Sequence, residues 1–135
     1  MTELKIPAKV ENLDDVLDLF EEAINKNGIS IKYLTNINIA VEEIFVNIAH
    51  YAYPAGEGDA VISLLISPDK LIAEFKDSGV PYDPLSREDP DITLSAEDRE
   101  IGGLGIYMVK NMMDDVKYRY EDGCNILTIV KKFEE

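Results

Sequence analysis

With 135 residues, 46% of them hydrophobic and 30% charged, the chain has the size and composition of one globular domain able to bury a core. Its 13 basic and 27 acidic residues leave a net charge of −14, which argues against a broad basic surface for nucleic acid or for an anionic membrane. An anionic ligand would have to be held by main-chain N–H groups, a helix N-terminus or a metal ion.

No run approaches 18 apolar residues, and the opening MTELKIPAKV lacks an apolar signal region. The expectation is a single cytoplasmic domain over residues 1–135, with neither membrane span nor secretion. The single Cys124 excludes an internal disulfide, and with His50 the only histidine there is no cluster for a zinc site.

In chain order, Leu4 to Val10 alternates as a first strand, with Pro7 pointing to an edge position. Asn12 then caps a helix whose apolar stripe is Leu13, Val16, Leu17, Phe20 and Ile24, stopped at Gly28. Ser30 opens a second helix that reaches Tyr51, with Leu34, Ile37, Val41, Ile44 and Ile48 recurring at helical spacing. A loop from Tyr53 to Gly58 leads into a hairpin, Ala60 to Ile66 and Leu71 to Lys76, turned by Ser67-Pro68-Asp69-Lys70.

Next comes the turn-rich Asp77-Ser78-Gly79-Val80-Pro81-Tyr82-Asp83-Pro84, and after it an acidic stretch without period from Leu85 to Ile101. A segment of that length and character reads as a mobile functional loop, a lid. Gly102-Gly103-Leu104-Gly105 opens a third helix with Ile106, Val109 and Met113 inward. Val116 to Tyr120 and Ile126 to Phe133, joined at Glu121-Asp122-Gly123, close the chain as a second hairpin. Strands adjacent in sequence pair antiparallel and amphipathic helices need a surface to cover, so this order predicts an α+β fold. Its architecture is a two-layer sandwich, a mixed and mainly antiparallel sheet of about five strands covered on one face by three helices.

Three places can carry chemistry. Glu43 and Asn47 sit four residues apart, which stacks a carboxylate and a carboxamide on one side of the second helix. Such a pair can activate a hydroxyl through the carboxylate while the amide oxygen takes Mg²⁺, and it equally suits a solvated face. Glu42 points about 100° away from Glu43, so spacing selects Glu43. Asp77, at a strand end, can accept a hydrogen bond from an exocyclic amine such as that of adenine, with Gly79 leaving room for the ring; the same residues make an ordinary Asp-x-Gly turn. Gly103-Leu104-Gly105 at a helix start suits a phosphate, although glycines also simply end loops. There is no Walker lysine motif, and a Rossmann fingerprint would need a strand where this chain has an acidic loop.

Taken in order, Glu-x-x-x-Asn, Asp-x-Gly-x-Pro-Tyr-Asp-Pro, an acidic loop and Gly-Gly-Leu-Gly-Ile resemble the histidine-kinase-like ATP-binding fold of gyrase, MutL and sensor histidine kinases. More closely, they are similar to the small serine kinases that act as anti-sigma factors, the RsbW type. The resemblance covers nearly the whole chain. It implies Glu43 as general base, Asn47 as the Mg²⁺ ligand, Asp77 on the adenine amine with Gly79 beside the ring, and the backbone of Gly103, Leu104 and Gly105 on the phosphates. Thr128, on the closing strand, matches a threonine found near the adenine.

What the resemblance implies for function is an ATP- and Mg²⁺-dependent serine/threonine-protein kinase. Its substrate would be a small anti-sigma-antagonist protein of the STAS type, a sigma factor would be a further partner, and a homodimer is the common assembly of such proteins. The alternative is a non-catalytic ATP-dependent partner-switching module. In the position just before the second glycine box, where relatives carry a basic residue, this chain has Ile101, with Arg99 two residues away.

Overall fold

The computed structural model describes residues 2–54, 56–86 and 103–133. Most of the expected lid, with Arg99 and Ile101, lies outside the described residues; its first two residues, Leu85 and Ser86, close a short 3-10 turn begun at Pro84. The described residues form five strands and three α-helices.

Strand β1 (Thr2–Pro7) is shorter than its alternation suggests, because Val10–Asn12 turn into a single 3-10 turn before helix α1 (Leu13–Lys26). Asn12 stands at the helix start without capping it. Its Nδ2 instead donates to the Pro7 carbonyl at 2.9 Å and ties strand to helix. On α1, Val16, Phe20 and Ile24 are fully buried, and the helix ends before Gly28, whose φ of 68° is the left-handed conformation that glycine adopts without strain. Ser30 Oγ accepts the Lys32 N–H at 3.3 Å and opens a 3-10 turn that runs into helix α2 (Leu34–Tyr51). Leu34, Ile37, Ala40, Val41, Ile44 and Phe45 form its buried stripe.

The sheet continues with β2 (Asp59–Ile66), β3 (Lys70–Asp77), β4 (Asp115–Glu121) and β5 (Cys124–Lys132), in the spatial order β1-β2-β3-β5-β4. Every pairing is antiparallel, so the sheet is not mixed but antiparallel throughout among the described residues. Pro7 pairs with Asp59 on the edge strand, where a missing N–H costs no ladder bond. Asp122 and Gly123, both at positive φ (54° and 77°), make the two-residue turn between β4 and β5 that matches strand twist.

Strand pleat assigns the faces. On central β3, Leu71, Ala73, Phe75 and Asp77 are buried toward the helices, while Glu74 and Lys76 point to the other side. Phe75 stacks on Phe20 of α1 with ring centroids 6.1 Å apart and planes 6° from parallel, which locks helix layer to sheet. Register places Ala73 beside Ile129, Phe75 beside Leu127 and Asp77 beside Asn125. The apolar layer therefore stops one rung short of the strand end, and its last rung is polar. Helix α3 (Gly103–Met112) covers this end of the sheet with Ile106 and Val109, and Lys131 Nζ donates to the Met112 carbonyl at 2.9 Å, a cation at the negative end of the helix. No helix of the described residues is long and apolar enough to cross a membrane.

The loop after α2 is fastened by one phenol. Tyr53 Oη donates to the Asp59 carbonyl at 2.7 Å and accepts the Ser78 N–H at 2.9 Å, and its ring lies where a Cβ on Gly58 would be. Burial raises the Tyr53 phenol above its usual range, with Ser78 acting in the opposite sense. The neutral phenol is thus the form the fold favours; its contribution is complete below the ordinary phenol pKa and is lost as pH rises through the folded value. Tyr53→Phe, which leaves an N–H and a carbonyl without this partner, is expected to lower unfolding free energy by about 1–3 kcal/mol at neutral pH. The deficit should narrow above about pH 10, the ordinary phenol pKa, in urea titrations of parent and variant. A deficit that stays constant from neutral to alkaline pH would contradict this role.

Candidate functional site

The last turns of α2, the end of β3 with its following loop, the start of β5, β4 and α3 enclose a cavity of about 420 Å³. That is the size of a small-ligand pocket. Its walls are mostly apolar, with Ile44, Phe75, Ile106 and Leu127 among them, and its polar groups are Asn47, Asp77, Asn125 and the phenols of Tyr51, Tyr82 and Tyr118. Among the described residues, no lysine, arginine or histidine lines it.

Asp77 is 6% exposed and Asn125 7%. A carboxylate this deep requires hydrogen bonds, and Asp77 Oδ1 accepts two, from the Gly79 N–H at 2.9 Å and from Asn125 Nδ2 at 2.9 Å. Oδ2 is the oxygen left for a ligand. The other Asn125 bonds run from Nδ2 to the Val80 carbonyl at 2.9 Å and to Oδ1 from the Tyr82 N–H at 3.0 Å and the Tyr118 hydroxyl. Burial, the largest influence on Tyr118, raises its phenol above the usual range.

Gly79 does a different job from the one its place in the sequence suggests. It does not line the cavity; it packs against the backbone of Ala52, and a Cβ there would overlap the Ala52 carbonyl. This close approach lets the Val80 N–H reach the Ala52 oxygen at 2.8 Å, which fastens the loop after β3 to the end of α2. The glycine is required by this close approach to α2.

On α2, Glu43 is half-buried while Glu42 faces solvent, so the face chosen by spacing is the one turned inward. Asn47 Nδ2 donates to Glu43 Oε1 at 3.2 Å. That bond spends the amide's donor on the carboxylate and keeps its oxygen as the acceptor, the correct polarity for a hard cation. Asn47 lines the cavity and Glu43 lies one turn beyond it. The Glu43 carboxylate rests against Gly105 in the first turn of α3, in the space a Cβ would fill. Gly103 and Leu104 begin the same helix. Among the described residues, no group of three or more His, Cys, Asp or Glu side chains is placed to hold a metal, so a cation here would take Asn47 together with oxygens of the ligand.

Thr128 is not brought to the site. It sits on β5 between Leu127 and Ile129, which face the helices, and its register partners Glu74 and Lys117 lie with it on the opposite face of the sheet. Period-two alternation puts Asn125, not Thr128, beside Asp77. The strand predicted from Ile126 begins two residues earlier, at Cys124, which brings Asn125 into the sheet. His50 is exposed at the end of α2 and contributes nothing to the cavity.

Comparison with known proteins decides the family. The profile described as "Histidine kinase-like ATPase domain" matches residues 6–131. The chain belongs to this family. Within it, the chain belongs with the RsbW-like proteins: it is 30% identical over 129 residues to the serine-protein kinase RsbW of Listeria monocytogenes, covering 92% of this chain and 82% of that protein. The serine-protein kinase RsbW of Bacillus cereus is likewise 30% identical over 129 residues, with 93% and 81% covered. The RsbU and RsbW domains of a Mycobacterium tuberculosis protein superpose with a TM-score of 0.69 at 14% identity, over all of this chain and 33% of that one. The Acinetobacter baumannii histidine kinase AdeS gives 0.50 at 13% identity, over 100% of this chain and 69% of that one. Those two likenesses concern the fold.

The two glycines separate by what they touch. Gly79→Ala drives a Cβ into backbone and is expected to lower unfolding free energy by about 1–3 kcal/mol. Gly105→Ala first meets the movable end of Glu43, and alanine gains helix propensity of about 1 kcal/mol, so its stability should stay within about 1 kcal/mol of the parent. Urea unfolding of both variants checks this; a Gly79→Ala protein as stable as the parent would remove the Ala52 contact from the account.

Proposed function

We propose that the chain is an ATP- and Mg²⁺-dependent protein-serine/threonine kinase of the anti-sigma type. It acts as one cytoplasmic domain on a small antagonist protein of the STAS type, and a sigma factor is a further partner that it sequesters. The observation that carries the reading is the placement of two groups in one cavity and a third just beyond it. Asp77 offers a buried acceptor at its floor, Asn47 an amide oxygen on its wall, and Glu43 a carboxylate one helical turn further on.

Each group has its task. An apolar cleft with one fixed carboxylate suits a flat heterocycle bearing an exocyclic amine, which adenine supplies. Asn47 would hold Mg²⁺, which would offset the charge of the phosphates. Main-chain N–H groups of Gly103, Leu104 and Gly105 at the start of α3 are the proposed phosphate contacts, in a site whose described lining has no basic side chain. Glu43, steadied by Asn47 Nδ2, takes the proton of the attacking serine or threonine hydroxyl. The named activity of the RsbW relatives supports a serine-protein kinase reading.

The test is incubation with γ-labelled ATP, Mg²⁺ and candidate antagonist proteins. Label should pass to an antagonist with the parent, and Glu43→Ala should slow transfer by about 10²–10⁴-fold while ATP affinity measured by calorimetry changes only a few-fold. Asn47→Ala should weaken ATP binding in Mg²⁺ and leave binding in EDTA nearly unchanged. Transfer by Glu43→Ala at the parent rate would remove Glu43 as the base. ATP binding by the parent without any transfer would make the chain a nucleotide-dependent partner switch instead.

A further inference from the structure

We infer that Asn125 is the positioning residue for Asp77, and that its carboxamide sets the preference of the cavity for a purine carrying an amine at C6 over one carrying an oxo group there. The inference rests on the nucleotide reading above and assigns a part of that site to a residue outside the three motifs. Asn125 is 7% exposed and all of its hydrogen-bonding capacity is engaged: two donated bonds, to Asp77 and Val80, and two accepted ones, from Tyr82 and Tyr118. An amide held on both sides cannot turn over, so Nδ2 faces Asp77 permanently.

The consequence is an asymmetry in the carboxylate. Asp77 Oδ1 is saturated by Asn125 Nδ2 and the Gly79 N–H, and the side chain has one oxygen left. That oxygen only accepts. It rewards an amine and meets a carbonyl with repulsion between two acceptors, so discrimination at C6 follows from how firmly the carboxylate is held. Without Asn125 the carboxylate keeps one anchor, Gly79, and can rotate to offer either edge or admit water. The same amide fixes the loop that forms the rim, through Val80 and Tyr82, which couples the rim to the floor.

The measurement is calorimetric affinity for ATP and ITP, the latter having an oxo group at C6, with parent, Asn125→Leu and Tyr118→Phe, each checked for folding by circular dichroism. The parent should favour ATP by about 30-fold or more, the range of one hydrogen bond to a charged group. Asn125→Leu should cut the ratio to below about fivefold, chiefly by loss of ATP affinity, and Tyr118→Phe, which deletes one bond to the amide, should give an intermediate ratio. General damage to the pocket would weaken both nucleotides together and leave the ratio where it was, so a folded Asn125→Leu protein with the parent ratio overturns the inference. Should Asn125→Leu fail to fold, an unchanged ratio in Tyr118→Phe overturns it. A parent that prefers ATP keeps the nucleotide reading whatever the variants do; a parent that binds neither nucleotide overturns that reading and this one with it.

Discussion

Asp77 and Asn125 occupy the helix-facing positions of the last rung between β3 and β5, above two rungs that are wholly apolar, Phe75 with Leu127 and Ala73 with Ile129. A carboxylate that deep is costly unless it is hydrogen-bonded, and the bonds it receives come from the neighbouring strand and from its own loop. The rung can therefore exist only if the loop after β3 is folded back correctly. Three unrelated contacts hold that loop in place: Tyr53 on Ser78, Ala52 on Val80, and Asn125 on both Val80 and Tyr82. Polar burial at the sheet end, close packing at Gly79 and the end of α2 are one interdependent unit. The cavity is what this unit leaves open beneath α2 and α3.

How much of this the sequence disclosed depends on the range of the interaction. The three helices, both hairpins and the stop at Gly28 follow from periodicity and from local turn chemistry, and they appear within a few residues of the expected bounds. Glu43 over Glu42 follows from helical spacing alone. What spacing does not carry is the identity of the neighbour across the sheet. Thr128 and Asn125 are three residues apart on one strand, so they lie on opposite faces, and only the register with β3 tells which of them meets Asp77. Gly79 is the same case in another form. An Asp-x-Gly turn announces that a side chain would be unwelcome, but whether the obstacle is a ligand or the Ala52 carbonyl depends on where α2 ends in space. Wholly antiparallel pairing was likewise a matter of register and strand order, not of local pattern.

Electrostatics ties the two ends of the cavity together. The chain carries a net charge of −14, and the described lining of the cavity offers no cationic side chain to a polyanion. On the proposed reading, the apolar floor and Asp77 would take the base, and the attraction for the phosphates would be built where Asn47, Glu43 and α3 converge. There the Glu43 carboxylate rests against Gly105 and is bonded to Asn47. The Glu43 carboxylate therefore sits at the start of α3, where a helix presents its main-chain N–H groups. The contact also means that α3 and this carboxylate cannot be displaced independently, since the absent Cβ at residue 105 is what lets them touch. A nucleotide that draws in a cation at Asn47 and phosphates at α3 would act on both neighbours of Glu43 at once. On the proposed reading, recognition of the nucleobase at the sheet end and proton transfer on α2 would be linked through one helix, with its apolar stripe buried in the core and its inward carboxylate at the rim.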